Sequence, residues 1–130
     1  MFFLMDTLIK KPIISPLLKE ETLVEQEKQV IIHCTYKNKE NFETLLRIWP
    51  STYLMHEKQV VSSLLFAENI TMFPHWTAVP PFCAYTFSLI FSGLPKACSV
   101  FDLVEVIPQP GGFVYQHIER NETDVYHIVF

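Results

Sequence analysis

The chain has 130 residues, about half of them apolar, with eleven Phe, nine Pro and only three Gly. A single domain of that length buries roughly two-thirds of the surface its unfolded chain exposes, so it needs neither a disulfide framework nor a structural metal to be stable. The net charge of −4, with ten scattered Lys and Arg, argues against nucleic acid, whose phosphates require a basic patch.

At the N-terminus, the apolar run Met1–Met5 is stopped by Asp6, and the pair Lys10-Lys11 comes after it. A secretory leader has the opposite order and a longer apolar stretch, and a bilayer span needs about 20 apolar residues. No membrane span is expected, and the cytoplasm is the default compartment. Pro12 and Pro16 prevent a regular helix, so residues 1–21 are expected to lie at the periphery. A strand at Thr22–Glu25 is favoured next, with one or two helical turns within Lys19–Lys28 as the alternative.

Gln29–Tyr36 reads as a strand, with Val30, Ile32, Cys34 and Tyr36 on one face and Ile31, His33 and Thr35 on the other. Lys37–Asn41 is a turn. Thr44–Trp49 is a second strand, placing Leu45, Arg47 and Trp49 opposite Leu46 and Ile48; Pro50-Ser51 breaks it and Thr52–Met55 continues extended. Gln59–Phe66 is a further strand, which the chain leaves through Ala67–Ile70. Phe73–Phe82 is a loop rich in aromatics and proline. From Ala84 onward, four β-rich runs (Ala84–Phe91, Ser99–Ile107, Phe113–Ile118 and Thr123–Phe130) are divided by Gly, Pro and Asn clusters. Such spacing signals an antiparallel all-β domain. In the first run Tyr85, Phe87, Leu89 and Phe91 share a face and are expected to be core. The expected fold is therefore one antiparallel, immunoglobulin-like β-sandwich domain over residues 1–130, with seven or eight strands.

RIWPSTYL (Arg47–Leu54), the AENI after a long strand, FSLIFSGLPKACSVFDLVEVI (Phe87–Ile107) and the closing strand together resemble the small immunoglobulin-like β-sandwich domains of Bacteroidetes proteins. In those domains a strand ends in an LPK turn and a FDLIE strand follows. The resemblance covers roughly residues 29–130 and implies a sandwich that often precedes a thioredoxin-like or other module in exported proteins. It therefore makes a periplasmic location the alternative to the cytoplasm. Neither an export signal nor an attached catalytic module is expected here, in departure from the pattern, and the resemblance brings no catalytic residues with it.

Reactive constellations are few. Cys34, Cys83 and Cys98 are odd in number and widely spaced, without a CxxC pair; they read as buried reduced thiols, with a Cys34–Cys83 or Cys83–Cys98 bridge as the alternative. His33, His56, His75, His117 and His127 form no HxH or HExxH motif. His33 and His127 lie in strands and can meet across a sheet, an arrangement that is usually structural. No metal and no cofactor are expected. Cys83 near His75 is the one sequence pairing of a nucleophile with a base, and three glycines leave little material for an oxyanion cradle. Asn69-Ile70-Thr71 and Asn121-Glu122-Thr123 match glycosylation sequons; without a leader they read as chance matches.

Two features remain. In FDLVEVI, Phe101, Leu103, Glu105 and Ile107 share one face and Val100, Asp102, Val104 and Val106 the other. One carboxylate must then point inward in a regular strand, at a cost of several kcal/mol unless it is paired. Arg47, between Leu45 and Trp49, has the same problem with opposite sign, so an Arg47–Glu105 or Arg47–Asp102 pair is expected, with a solvated edge strand as the alternative. The loop residues Phe73, His75, Trp76 and Phe82 either plug one end of the sandwich or form an exposed aromatic surface. The leading functional expectation is a non-catalytic module that binds a protein or peptide through this loop or a sheet edge, with a C2 homodimer as a related outcome. A small-ligand or carbohydrate binder using Trp76, Trp49 and Tyr53 is the second reading, and a cysteine enzyme using Cys83 and His75 the third.

Overall fold

The computed structural model describes residues 28–130; the expectations for residues 1–21 and for Thr22–Glu25 lie outside them. The described chain is all-β: β1 (Val30–Lys37), β2 (Thr44–Leu46), β3 (Thr52–His56), β4 (Gln59–Glu68), β5 (Thr77–Val79), β6 (Ala84–Phe91), β7 (Val100–Glu105), β8 (Val114–Glu119) and β9 (Val125–Val129). Seven strands form one sheet in the order β8-β7-β3-β4-β6-β1-β9, and β2 pairs with β5 in a separate two-stranded sheet. Nine strands are present among the described residues where seven or eight were expected, and two further expectations are corrected. The sheet is mixed rather than wholly antiparallel, because β9 runs parallel to β1. The aromatic loop is not wholly irregular, because it contains β5. Among the described residues no helix is long and apolar enough to cross a membrane.

The long strand β4 joins the two halves of the large sheet. Its first half pairs with β3 and its second half with β6, with register shifts at Leu54/Met55 and at Leu64/Phe66. Such irregularities bend a strand and increase its twist. The halves approach each other through aromatic side chains. Phe101 of β7 meets the ring of Tyr126 of β9 edge-on at 5.2 Å, and Phe87 of β6 lies 6.2 Å from Phe113. The inward rows follow the period of two: Val30, Ile32 and Cys34 of β1, Phe87, Leu89 and Phe91 of β6, and Phe101 and Leu103 of β7 are all buried. The core face expected for β6 holds, with Tyr85 packed at its margin. The three thiols are free; Cys34 and Cys98 are buried as expected, but Cys83 is exposed. Burial pushes the Cys34 thiol up to about 12, which leaves it protonated and unreactive.

Two turns carry constraints that composition does not announce. Between His56 and Gln59, which pair, Glu57 and Lys58 have φ of 52° and 65°. Two consecutive left-handed residues define the tight hairpin turn that usually takes Asn-Gly. On the other side of the sheet, Gly112 comes so close to the Glu105 carbonyl oxygen that an added Cβ would collide with it.

The turn after β8 is built around Asp124, which is fully buried. Arg120 grips its carboxylate with two parallel hydrogen bonds of 3.1 Å, from Nε to Oδ1 and from Nη2 to Oδ2. The Tyr126 hydroxyl donates to Oδ1 at 2.8 Å. Arg120 Nη1 donates onward to the carbonyls of Pro95 and Cys98 in the β6–β7 connection, and the Asp124 carbonyl accepts from Ile31 at the start of β1. Burial alone would raise the Asp124 carboxyl, but the hydrogen bonds from Arg120 and Tyr126 outweigh it and hold the group below its ordinary value. Burial, with the neighbouring Asp124 carboxylate, pushes the Tyr126 phenol up to about 12.

Replacing Glu57→Asn together with Lys58→Gly is expected to stabilise the domain by about 1 kcal/mol; calorimetry should show a melting temperature raised by several degrees, and an unchanged or lowered value would contradict the turn assignment. Removing the charge with Asp124→Asn is expected to cost about 3 kcal/mol, because the half-buried Arg120 guanidinium loses its buried carboxylate partner. Since the folded-state value of Asp124 is depressed, its stabilisation is complete above about pH 4 and declines as the pH falls through that depressed value. Denaturant unfolding should therefore show the gap between wild type and Asp124→Asn narrowing in strong acid; a gap independent of pH would be inconsistent with this account.

Candidate functional site

The short β2–β5 sheet organises the most unusual surface of the molecule. Leu46 and Ile48 face inward and are buried, so the alternating residues Leu45, Arg47 and Trp49 face outward, as the sequence pattern requires. Beyond β2 the chain stays extended: Ile48 bridges Met72 in parallel, with hydrogen bonds from Ile48 N to Thr71 O and from Phe73 N to Ile48 O. This places Phe73 beside Trp49, and their rings stack at 3.9 Å with a 6° interplanar angle.

Arg47 is the centre of the cluster. Its guanidinium lies 3.7 Å from the centroid of Trp76, 4.6 Å from Phe73 and 5.8 Å from Trp49. Nη1 donates to the Pro74 carbonyl at 3.1 Å. The expected ion pair with Asp102 or Glu105 is therefore not formed. Arg47 is on the outer side, where aromatic faces and a carbonyl meet the cation and no carboxylate of the described residues does, and a guanidinium over aromatic rings is favourable by about 0.5–1 kcal/mol at exposed sites.

Glu105 is nevertheless the inward carboxylate, 6% exposed. Its partners are two backbone donors: Trp49 N–H to Oε2 at 2.9 Å and Phe113 N–H to Oε1 at 3.0 Å. It thus ties the end of the Arg47–Trp49 segment to the β7–β8 connection. Asp102 faces the other way and accepts the N–H of His117 at 2.8 Å. That bond serves a bulge in β8, where His117 has φ of 60° and the register with β7 shifts.

Of the loop residues singled out in the sequence, all four are exposed, Trp76 at 50% and Phe82 at 71%. The loop does not plug the domain. It is held by its own hydrogen bonds: His75 N to Met72 O, the Thr71 hydroxyl to His75 O, and a 2.9 Å contact between the Thr71 and Thr77 hydroxyls. Two exposed apolar residues that sequence reasoning missed extend the surface. Leu45 is on the outer side of β2, and Phe42 comes from the preceding turn at 57% exposure. Their placement depends on Asn38, buried beneath, whose amide donates to the carbonyls of Phe42, Val79 and Pro80. The N–H of Phe82 bonds Glu40 O in the same turn. The sequence signal was present as a Phe directly after a polar turn, but nothing local tells whether such a Phe folds in or out.

The remaining candidates are not brought together in this way. Tyr53 lies on β3, away from the Arg47 cluster, paired with Ser63 and Val104. One face of Trp49 is covered by Phe73 and one face of Trp76 by Arg47. Cys83 and His75 are both exposed and make no hydrogen bond with each other. No protein-family model, no curated protein and no solved structure matches this chain.

Replacing Glu105→Gln sets an amide NH₂ against one of two backbone donors, and is expected to cost about 1–3 kcal/mol. The same variant should alter Trp49 fluorescence, because the Trp49 backbone loses its anchor. Unchanged stability together with an unchanged emission spectrum would remove Glu105 from this role.

Proposed function

We propose that the domain is a non-catalytic binding module of immunoglobulin-like sandwich type, which engages a protein or peptide partner through the surface formed by Arg47, Phe73, Trp76, Phe82, Phe42 and Leu45. The carrying observation is the exposure of Trp76 and Phe82 on a loop whose backbone is already hydrogen-bonded in place. Large exposed apolar side chains grouped on one face are unusual in a monomer and mark interaction surfaces. Trp and Arg are the residue types that most often anchor them. A rigid loop also loses little conformational freedom on binding, which favours affinity. The sandwich reading is supported by β4 passing from one half of the sheet to the other, and the lineage reading rests on the LPK turn and the FDLVEVI strand.

A random-peptide display library panned against the full chain tests this. Ligands recovered with wild type should be lost with Trp76→Ala and with Arg47→Ala, while the melting temperature of either variant moves by only a few degrees. A second copy of the chain is the alternative occupant, recognised by a Trp76-dependent dimer in sedimentation. Ligands that bind Trp76→Ala as well as wild type, with no such dimer, would overturn the assignment of the surface.

A further inference from the structure

The outer face of the seven-stranded sheet carries a second group of chemistry-bearing side chains, unrelated to the aromatic surface on the separate β2–β5 sheet. The strand registers align Glu68 with Ser88, Ser88 with His33, and His33 with His127. The result is one polar row across β4, β6, β1 and β9. His33 and His127 are neighbours on parallel strands, and their rings lie 4.8 Å apart, tilted by 30°. His33 Nδ1 is in hydrogen-bond contact with the Ser88 hydroxyl at 2.7 Å. His127 is exposed and makes no hydrogen bond among the described residues. These residues line a cleft of about 250 Å³, together with Cys34, Thr35, Asn69, Thr86 and Phe87.

We propose that His33 and His127 form a bidentate site for a divalent transition-metal ion of the Zn²⁺ or Ni²⁺ class. The chemistry follows from which nitrogens are engaged. Ser88 occupies Nδ1 of His33, fixes the ring orientation and leaves Nε2 open, which is the arrangement that outer hydrogen bonds impose on metal-binding histidines. His127 offers an unengaged nitrogen one strand away. Imidazole is a preferred ligand for borderline divalent ions, and hard ions such as Mg²⁺ and Ca²⁺ are poorly served by it. Among the described residues no group of three or more His, Cys, Asp or Glu side chains is placed around a common ion position. A metal held here therefore has two protein ligands and open positions for water or for a donor atom from a partner. Glu68, at the far end of the row, supplies a negative charge without being a ligand.

The other described histidines differ in kind. His56 and His117 each pair locally with an exposed carboxylate, Glu57 at 3.8 Å and Glu119 at 3.6 Å, and His75 stands in the aromatic loop. They serve as internal controls. The experiment is calorimetric titration of the untagged full chain with ZnCl₂, and separately with NiCl₂, at about pH 7.5. One equivalent should bind. His127→Gln and His33→Gln should each weaken binding by at least about a hundredfold, and Ser88→Ala by about tenfold. His56→Gln, His75→Gln and His117→Gln should leave it unchanged. His127 is exposed, so its variant remains folded even if His33→Gln does not. Absence of binding at millimolar metal, or binding that survives His127→Gln, would overturn the site.

Discussion

The pair between Arg120 and the buried Asp124 is the constraint on which the closure of this domain depends. β9 is an edge strand with one neighbour, β1, to which it runs parallel. A parallel edge strand has no hairpin to set its register. Here the turn at Asp124 supplies that register directly: its carbonyl bonds Ile31 at the start of β1 while its side chain is clamped by Arg120 and Tyr126. The same guanidinium reaches the carbonyls of Pro95 and Cys98, so the β6–β7 connection, the β8–β9 turn and the entry of β1 are fixed to one another. A bidentate guanidinium–carboxylate pair suits this because its planar geometry specifies orientation as well as contact. Asn121 supports the turn from outside, its side-chain oxygen accepting the backbone N–H of Thr123 and Asp124, as Asn commonly does in turns.

Glu105 performs the corresponding task at the other end of the sheet. A buried carboxylate is costly, yet this one meets two backbone N–H groups that would otherwise be unsatisfied. Its position at the end of β7 lets it hold Trp49 and Phe113 at once, and Phe113 packs against Phe130, the last residue of the chain. The aromatic surface is therefore continuous with the fold's internal order. Trp49 is anchored by Glu105 from within, Phe73 stacks on Trp49, and Arg47 lies over Phe73 and Trp76. Removing the internal acid is a structural change with its effect on the outside.

Local order was legible in the sequence and long-range order was not. The alternation of β1 and β6 placed Ile32, Cys34, Phe87, Leu89 and Phe91 on the correct face, because period two depends only on adjacent residues. The parity of FDLVEVI correctly required one inward carboxylate. What it could not supply was the partner. Arg47 was the expected choice because it is a lone cation among apolar neighbours, but backbone donors have no signature in composition, and they took the role. The pairing of β9 with β1 was equally invisible. Four β runs in succession suggest successive hairpins, yet of these only β7 and β8 pair. The turn at Glu57-Lys58 escaped notice because neither residue is one that left-handed geometry normally selects. The Arg120–Asp124 pair was missed for a related reason. In ERNETD the two residues look like part of a solvated polar turn, and only the folding of Tyr126 over the carboxylate makes it a buried one.

The two outward surfaces differ in how the fold commits to them, and that difference bears on what each can do. The Arg47–Trp76 surface is built from loops and a two-stranded sheet, and its side chains are large, apolar and held by backbone bonds formed within the loop itself. Such a surface offers area and rigidity, which serve recognition of shape and apolar contact. The His33–His127 row stands on four paired strands, where register sets the spacing of each side chain to its neighbour. Strand-borne groups are the more accurately placed, and accuracy is what ligation requires. The aromatic surface stands on the separate β2–β5 sheet and its loops, the histidine row on the seven-stranded sheet, and the two share no side chain. A partner can therefore be held at one while the other is occupied, and substitutions at either can be read independently of the other.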